Sequence, residues 1–100
     1  MSYICLLELH LHFPDNHSLK GKRKELSSLK AQLQHRFNAS VAETDHQDLW
    51  QRSTLSVALA GRDVPSLDEA ASKLTRYVES QFPDGVHVER ALVSSEELLN

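Results

Sequence analysis

The chain has 100 residues, of which 40% are hydrophobic and 25% charged, so it has room for one domain of ordinary globular composition. A single cysteine excludes an internal disulfide, and no apolar run reaches the roughly 20 residues that a membrane-spanning helix needs. Because the first residues carry no basic segment typical of a signal peptide, we expect a cytoplasmic protein without a membrane partner.

Charge is distributed unevenly along the chain. The net charge is −3, yet residues 17–36 hold six basic side chains and one acidic one, a local balance of +5. The rest of the chain holds 5 basic and 13 acidic residues, a balance of −8. This basic segment therefore needs its own explanation.

The first predicted elements are a strand over residues 3–12 and a helix over about 18–36. In the strand, apolar side chains alternate, which places Cys5 on the buried face as an inert thiol. In the helix, Ser18 is a suitable N-cap and Asn38 suits the C-terminal end. The apolar stripe of this helix recurs at helical spacing and consists of Leu19, Leu26, Leu29, Leu33 and Phe37.

Two strands follow, over 39–45 and 52–60, and the turn residues Asp45–Asp48 between them predict an antiparallel hairpin. Pro65 and Ser66 then open a second helix, in which Ser66 and Glu69 have capping-box spacing. Pro83-Asp84-Gly85 ends that helix, and residues 86–93 form the last strand. We expect one domain over residues 1–94 and a loose or partner-dependent C-terminal tail over residues 95–100.

This order, βαββαβ, predicts an α+β ferredoxin-like sandwich: a four-stranded antiparallel sheet with two helices on one face. The other sheet face is left open to water or to a partner. RNA-recognition motifs with the same element order stack bases on aromatic side chains of that face. The corresponding positions here form no aromatic platform, so we do not expect that mode of binding; they are Glu8, His10, Thr54, Ser56 and Ala58.

The start of the first helix is a candidate anion-binding site. Cations in a first helical turn oppose the positive end of the helix dipole, so local stability does not explain them. Free N–H groups together with several cations suit phosphate. The alternative is a solvated basic surface that only aids solubility. The candidate residues are Lys20, Lys22, Arg23, Lys24 and Lys30.

A second group of polar residues lies on the open face. The side chains of His10 and His12 are expected to point to the same face of the first strand as that of Glu8. On the neighbouring last strand, the alternation places His87 on this face too. These four side chains are candidate metal ligands. Because each is also ordinary on a solvated sheet, we favour a polar surface or a dimer contact, and we expect no metal or other cofactor.

The hairpin from Asp45 to Arg52 is the densest polar stretch, and it carries the only tryptophan. We interpret it as an interaction hairpin in which Trp50 packs on a helix or on a second subunit. An Asp–His neighbour pair suits acid–base chemistry, but no nucleophile motif accompanies it, so we expect no catalytic residues. The candidate contact residues are Asp45, His46, Asp48, Trp50 and Arg52.

Three stretches resemble the YlxP-like family of bacterial proteins, whose function is unknown. They are His17–Lys20 with Lys22-Arg23, Arg36–Glu43 and Asp45–Arg52. One departure is Gly21, where the family more often has Glu. The resemblance implies a ferredoxin-like fold and genes that often lie beside those for ribosome maturation and translation initiation.

The resemblance therefore suggests association with RNA or a ribosomal component, and it brings no catalytic residues. We expect a non-enzymatic accessory protein that contacts RNA through the basic helix start. The alternatives are a homodimeric interaction module without nucleic-acid binding and a metal-dependent enzyme that uses the His/Glu group.

Overall fold

A computed structural model describes residues 1–83 and 85–100; Asp84, in the predicted end of the second helix, lies outside the described residues. The element order is β1(Tyr3–His12), α1(Leu19–Phe37), β2(Ser40–Asp45), β3(Arg52–Gly61), α2(Val64–Gln81), β4(Val86–Ser94) and α3(Ser95–Leu99). The predicted βαββαβ order is confirmed. In the part of the chain that the structure describes, no helix is long and apolar enough to cross a membrane.

The four strands form one antiparallel sheet in the order β2-β3-β1-β4, which is the ferredoxin-like arrangement. Strand β1 is central and pairs with both β3 and β4. The register places Leu7 between Val57 and Arg90, and His10 between Thr54 and His87. Cα partners point to the same face of a sheet, so this register fixes which side chains meet.

Helices α1 and α2 cover one face of the sheet, and the core lies between them and the strands. The alternation predicted for β1 is confirmed, because Cys5, Leu7, Leu9 and Leu11 are all buried. The helices contribute buried side chains at three- and four-residue spacing, as an amphipathic helix on a sheet requires. They are Leu26, Leu29 and Leu33 from α1, and Leu67, Ala71, Leu74 and Val78 from α2.

Two local predictions were wrong. Helix α2 starts at Val64, one residue before the predicted Pro65-Ser66, and its N-cap is Asp63 rather than Ser66: Asp63 accepts a hydrogen bond from the Ser66 backbone N–H at 2.8 Å. The C-terminal residues are a short helix, α3, rather than a loose tail. Ser94 and Glu97 form a capping box there, and the Ser95 N–H bonds the Ser2 carbonyl at 2.8 Å.

The open face of the sheet divides into two halves. Towards the C-terminal end of β1 it is polar, with His10 and His12 beside residues of β3 and β4. Towards the N-terminal end of β1 it is apolar, with Leu6 43% exposed. We call this half the apolar patch; it consists of Ile4, Leu6, Ala58, Ala60, Ala91 and Val93.

Candidate functional site

Helix α1 begins as the sequence predicts. Ser18 is the N-cap in extended conformation, and its side-chain oxygen accepts a hydrogen bond from the Gly21 N–H at 3.0 Å. The first turn contains no acidic residue, so the basic residues there are not compensated locally. Glu25, the one acidic residue of α1, lies elsewhere, in the groove between α1 and α2.

The prediction that Lys22 belongs to the anion site is wrong. Its side chain is 0% exposed, and its Nζ donates to the backbone carbonyls of His46, Gln47 and Arg52 at 2.7, 3.3 and 3.1 Å. The Glu43 carboxylate lies 3.3 Å from the same nitrogen. Because these partners occupy the three ammonium N–H groups, Lys22 has no donor left for an external phosphate.

The sequence contains a signal for this burial. Position 22 precedes Leu26, Leu29 and Leu33 by four, seven and eleven residues, so it shares the core-facing side of the helix. A lysine on that side is buried only when its charge finds partners, and here the hairpin carbonyls provide them.

The other four candidate cations remain available on α1. Lys20, Arg23 and Lys24 are exposed and Lys30 is half-buried. At 3.6 residues per turn these positions span about a third of the helix circumference, over roughly 15 Å of its length. Within residues 1–83 and 85–100, none of them forms an ion pair. We call Lys20, Arg23, Lys24 and Lys30 the basic stripe.

A groove runs beside the basic stripe, between α1 and the edge strand β2. It encloses about 360 Å³, and Arg23 and Lys30 both line it. The remaining lining is small or polar apart from Leu26, with Glu43 at its β2 side. The Glu43 carboxylate is already bound to Lys22 and accepts from the Ser53 hydroxyl at 2.6 Å, so its charge is compensated within the fold.

The interaction hairpin is fixed against the start of α1. Besides the Lys22 bonds, the Asn16 Nδ2 donates to the carbonyls of both Ser18 and Trp50, each at 2.6 Å. Gln51 donates through its amide nitrogen to the Pro14 and Asn16 carbonyls at 3.2 Å. Sequence reasoning missed Asn16, although a side-chain amide two residues before an N-cap is well placed to bridge two loops.

The candidate residues of the hairpin have different roles. Asp45 accepts a hydrogen bond from the His46 N–H at 2.8 Å, which supports the positive φ of 62° at His46. Asp48 and Arg52 are exposed. Trp50 is 54% exposed, so it is not buried against a helix of its own chain, and its predicted packing on a second subunit stays a prediction.

The candidate metal ligands are not assembled into a site. His10 Nε2 lies 2.7 Å from Glu89 Oε1, and its ring stacks on His87 with centroids 5.8 Å apart. Glu8 instead accepts a hydrogen bond from the Ser56 hydroxyl at 2.6 Å. Among all residues except Asp84, no group of three or more His, Cys, Asp or Glu side chains has a geometry that could hold a metal ion.

The histidines nevertheless share one cavity at this end of the sheet. It encloses about 250 Å³, and Arg52 lines it together with four imidazoles, those of His10, His12, His46 and His87. The cavity adjoins the interaction hairpin through His46 and Arg52, whose carbonyls bind Lys22. This end of the sheet therefore concentrates donor groups close to the start of α1.

Cys5 is a buried free thiol, as predicted. Burial raises the pKa of this thiol; Arg90 partly offsets that rise and Asp68 adds to it. A thiol held protonated in the core is a poor nucleophile, so Cys5 is a packing residue.

Comparison with known proteins places the chain in a family. The family model described as "Protein of unknown function (DUF503)" matches residues 4–91, so the chain belongs to the DUF503 family. It is 29% identical over 82 residues to "Uncharacterized protein YlxP" of Bacillus subtilis (strain 168), covering 82% of this chain and 85% of that protein. The resemblance to the YlxP-like family is thereby confirmed.

A solved structure supports the fold alone. The protein described as "De novo designed protein Foldit4" superposes with a TM-score of 0.62, covering 95% of this chain and 99% of its own, at 8% sequence identity. A likeness at that identity carries no inference about function.

Proposed function

We propose that this DUF503 protein is a non-enzymatic accessory protein that binds RNA, in isolation or within a ribosomal particle, through the basic stripe of α1. The observation that carries the proposal is that four neighbouring cations, Lys20, Arg23, Lys24 and Lys30, form no ion pair within the described residues. The resemblance set out above, which implies genes neighbouring those for ribosome maturation, supports RNA as the polyanion.

The location of these cations favours a ligand over a purely structural role. Surface lysines that stabilise a helix lie near its C-terminal end or four residues from an acidic partner. The basic stripe begins in the first turn of α1, and Glu69–Lys73 on α2 shows the paired arrangement that it lacks. Its length of roughly 15 Å is sufficient for several consecutive phosphates of one nucleic-acid strand.

The test compares RNA binding by two variants that have the same change in net charge. In the first, Lys20, Arg23 and Lys24 become Glu; acidic residues favour a helix N-terminus, so α1 is expected to stay folded. In the control, Arg62, Lys73 and Arg76 become Glu on a different surface. We expect the first variant to lose co-sedimentation with ribosomes and binding to isolated ribosomal RNA at low salt, and the control to keep both.

The salt dependence gives a second measurement on the unchanged protein. Four phosphate contacts on a single strand predict a slope of about −3 for log Kobs against log[salt]. Equal binding by the two triple variants, or no RNA binding by the native protein at low salt, would contradict the proposal.

A second candidate function is a homodimeric module that pairs through the apolar patch. Leu6 is 43% exposed and its strand neighbours are Ala58 and Ala91, so the patch is flat and uncharged. A two-fold contact places the same surface on both subunits, and an uncharged apolar surface matches its own copy without repulsion. A dimer would present two basic stripes, so this candidate is compatible with RNA binding.

Light scattering at micromolar concentration tests the dimer. We expect a mass of two chains for the native protein and of one chain for Leu6→Glu. Leu49→Glu is the matched control, because Leu49 is 45% exposed in the hairpin at the opposite end of the sheet from the apolar patch, and this change is expected to leave the mass unchanged. A monomeric native protein would remove this candidate.

A further inference from the structure

The hairpin beside the basic stripe presents an aromatic side chain to solvent. Trp50 is the only tryptophan of the chain and is 54% exposed, and its neighbour Leu49 is 45% exposed. An indole ring is among the most costly side chains to leave in water, because its apolar area is large. Trp50 and Leu49 together give this hairpin an exposed apolar surface that is available to a ligand.

Several hydrogen bonds hold the backbone of this segment in place. The buried Lys22 ammonium binds three carbonyls around the hairpin, those of His46, Gln47 and Arg52. The Phe13 N–H donates to the Gln51 carbonyl at 2.8 Å, and the Leu49 N–H donates to the His46 carbonyl at 3.2 Å. Trp50 is thus held on a fixed backbone between these bonds, and a ligand would not have to order the loop on binding.

Trp50 also adjoins the beginning of the basic stripe. The Asn16 side chain donates to the Trp50 carbonyl and to the Ser18 carbonyl, each at 2.6 Å. Ser18 is the N-cap of α1, and Lys20 follows two residues later. One amide group therefore connects the backbone of Trp50 to the backbone at the start of α1.

An exposed aromatic residue whose backbone is bonded to the start of a row of exposed cations suits a single-stranded nucleic acid. The cations follow the phosphates, while an unpaired base stacks on the ring. A duplex keeps its bases inside the helix and offers no free face to the indole. The site is distinct from the aromatic sheet platform of RNA-recognition motifs, which this open face lacks.

We infer that the ligand of this surface is single-stranded RNA, with one unpaired base stacked on Trp50 and the neighbouring phosphates on Lys20, Arg23, Lys24 and Lys30. This inference rests on the proposed function and narrows it. The basic stripe supplies affinity for any RNA backbone, and Trp50 supplies the preference for unpaired over paired RNA.

The experiment uses the full chain with a short oligouridine and an RNA duplex of equal length at low salt. Because Trp50 is the only tryptophan, its fluorescence reports on the proposed contact directly. We expect oligouridine to quench this emission and the duplex to leave it nearly unchanged. Trp50→Ala should weaken oligouridine binding by about ten-fold or more, measured with labelled RNA, with less than a two-fold effect on the duplex.

Two further variants separate stacking from simple apolar contact. Trp50→Phe keeps a stacking face and is expected to retain most of the affinity. Leu49→Ala removes a neighbouring exposed side chain without a stacking face, and should change the affinity less than two-fold. Circular dichroism and the melting temperature of each variant confirm that the fold is kept.

The outcomes distinguish this inference from the proposed function. If both RNAs bind through the basic stripe but Trp50→Ala binds oligouridine as well as the native protein does, the inference is wrong and the proposed function stands. In that case a protein partner, rather than RNA, is the expected ligand of the exposed indole. If neither RNA binds the native chain, the proposed function fails and the inference fails with it.

Discussion

The Lys22 ammonium and the Glu43 carboxylate form an ion pair between α1 and β2, with Nζ and Oε2 3.3 Å apart. The lysine side chain is 0% exposed and that of the glutamate 22%, so the pair is largely removed from solvent. Three carbonyls and the Ser53 hydroxyl complete the hydrogen bonds of the two charged groups. Through its three carbonyl bonds, Lys22 also connects the helix that carries the basic stripe to the hairpin that carries Trp50.

Replacing Lys22 with Met should destabilise the protein strongly. The substitution keeps the approximate volume, but it removes one donor from three carbonyls and the opposite charge from the Glu43 carboxylate. Breaking a buried pair in this way costs about 3–5 kcal/mol of unfolding free energy. Chemical denaturation measures the loss, and Lys20→Met, an exposed position in the same turn, should change the unfolding free energy by no more than about 0.5 kcal/mol.

Hydrogen exchange gives a second check on that variant. Protection of the backbone amides in residues 46–52 should fall more than protection in the middle of β1, because Lys22 binds the hairpin and not the central strand. A Lys22→Met protein as stable as the native one would show that the ion pair contributes nothing to the hairpin.

Lys22 also shows what the sequence could and could not predict. Its position on the leucine side of α1 follows from helical periodicity, and the same periodicity predicted the strands, helices and core. Its partners do not follow, because they are backbone carbonyls of a loop more than twenty residues away. From its side-chain chemistry alone, Lys22 was predicted to bind phosphate. Only the tertiary packing shows that its role differs from that of the exposed or half-buried cations Lys20, Arg23, Lys24 and Lys30.

The predicted start of α2 was wrong for a different reason. Both Asp63 and Ser66 suit an N-cap, and the Ser66–Glu69 spacing favoured the wrong one. Pro65 was compatible with either choice, because it lies in the first turn after Asp63 and would precede the helix if Ser66 were the N-cap. Helix α3 was missed because a five-residue element has too little periodicity to detect, although its capping box at Ser94 and Glu97 was readable.

Gly85→Ala should destabilise the start of β4. A Cβ at this position would lie 2.5 Å from the His12 carbonyl oxygen, which is main chain and cannot rotate away. The strands approach closely there because the His12 N–H donates to the Gly85 carbonyl at 2.7 Å. We expect a loss of about 1–3 kcal/mol of unfolding free energy, measured by chemical denaturation.

Gly21→Ala is the informative comparison for that variant. The atom nearest to an added Cβ there is the Asn16 side-chain oxygen, which can move. We expect a smaller loss of stability, together with a change in Trp50 fluorescence, because Asn16 holds the Trp50 carbonyl. Equal losses of stability in the two variants would contradict the distinction between a fixed and a movable neighbour.

Cys5 should resist thiol reagents in the native protein. Burial in the core raises the pKa of its thiol, so the reactive thiolate is rare near neutral pH, and the reagent must also reach the interior. We expect labelling by a disulfide reagent to be slow in buffer and complete within minutes in denaturant. Labelling at the rate of a free cysteine in buffer would mean that β1 opens readily.

The Asp63 cap predicts a defined pH dependence of stability. The backbone N–H of Ser66 donates to the Asp63 carboxylate, which lowers the pKa of that group below its ordinary value. A carboxyl whose pKa is lower in the folded state stabilises the fold above the pKa it has when unfolded. Its contribution is therefore complete near neutral pH and is lost as the pH falls below about 4.

Asp63→Asn isolates this effect, because asparagine also caps a helix but does not titrate. The melting temperature of the native protein should fall more steeply between pH 5 and pH 2.5 than that of the variant, while the two remain close at pH 7. Asp63→Ala should lower the melting temperature at pH 7 and at pH 2.5 alike, since it removes the cap itself. Parallel curves for the native protein and Asp63→Asn would show that the Ser66 hydrogen bond does not depend on the charge of Asp63.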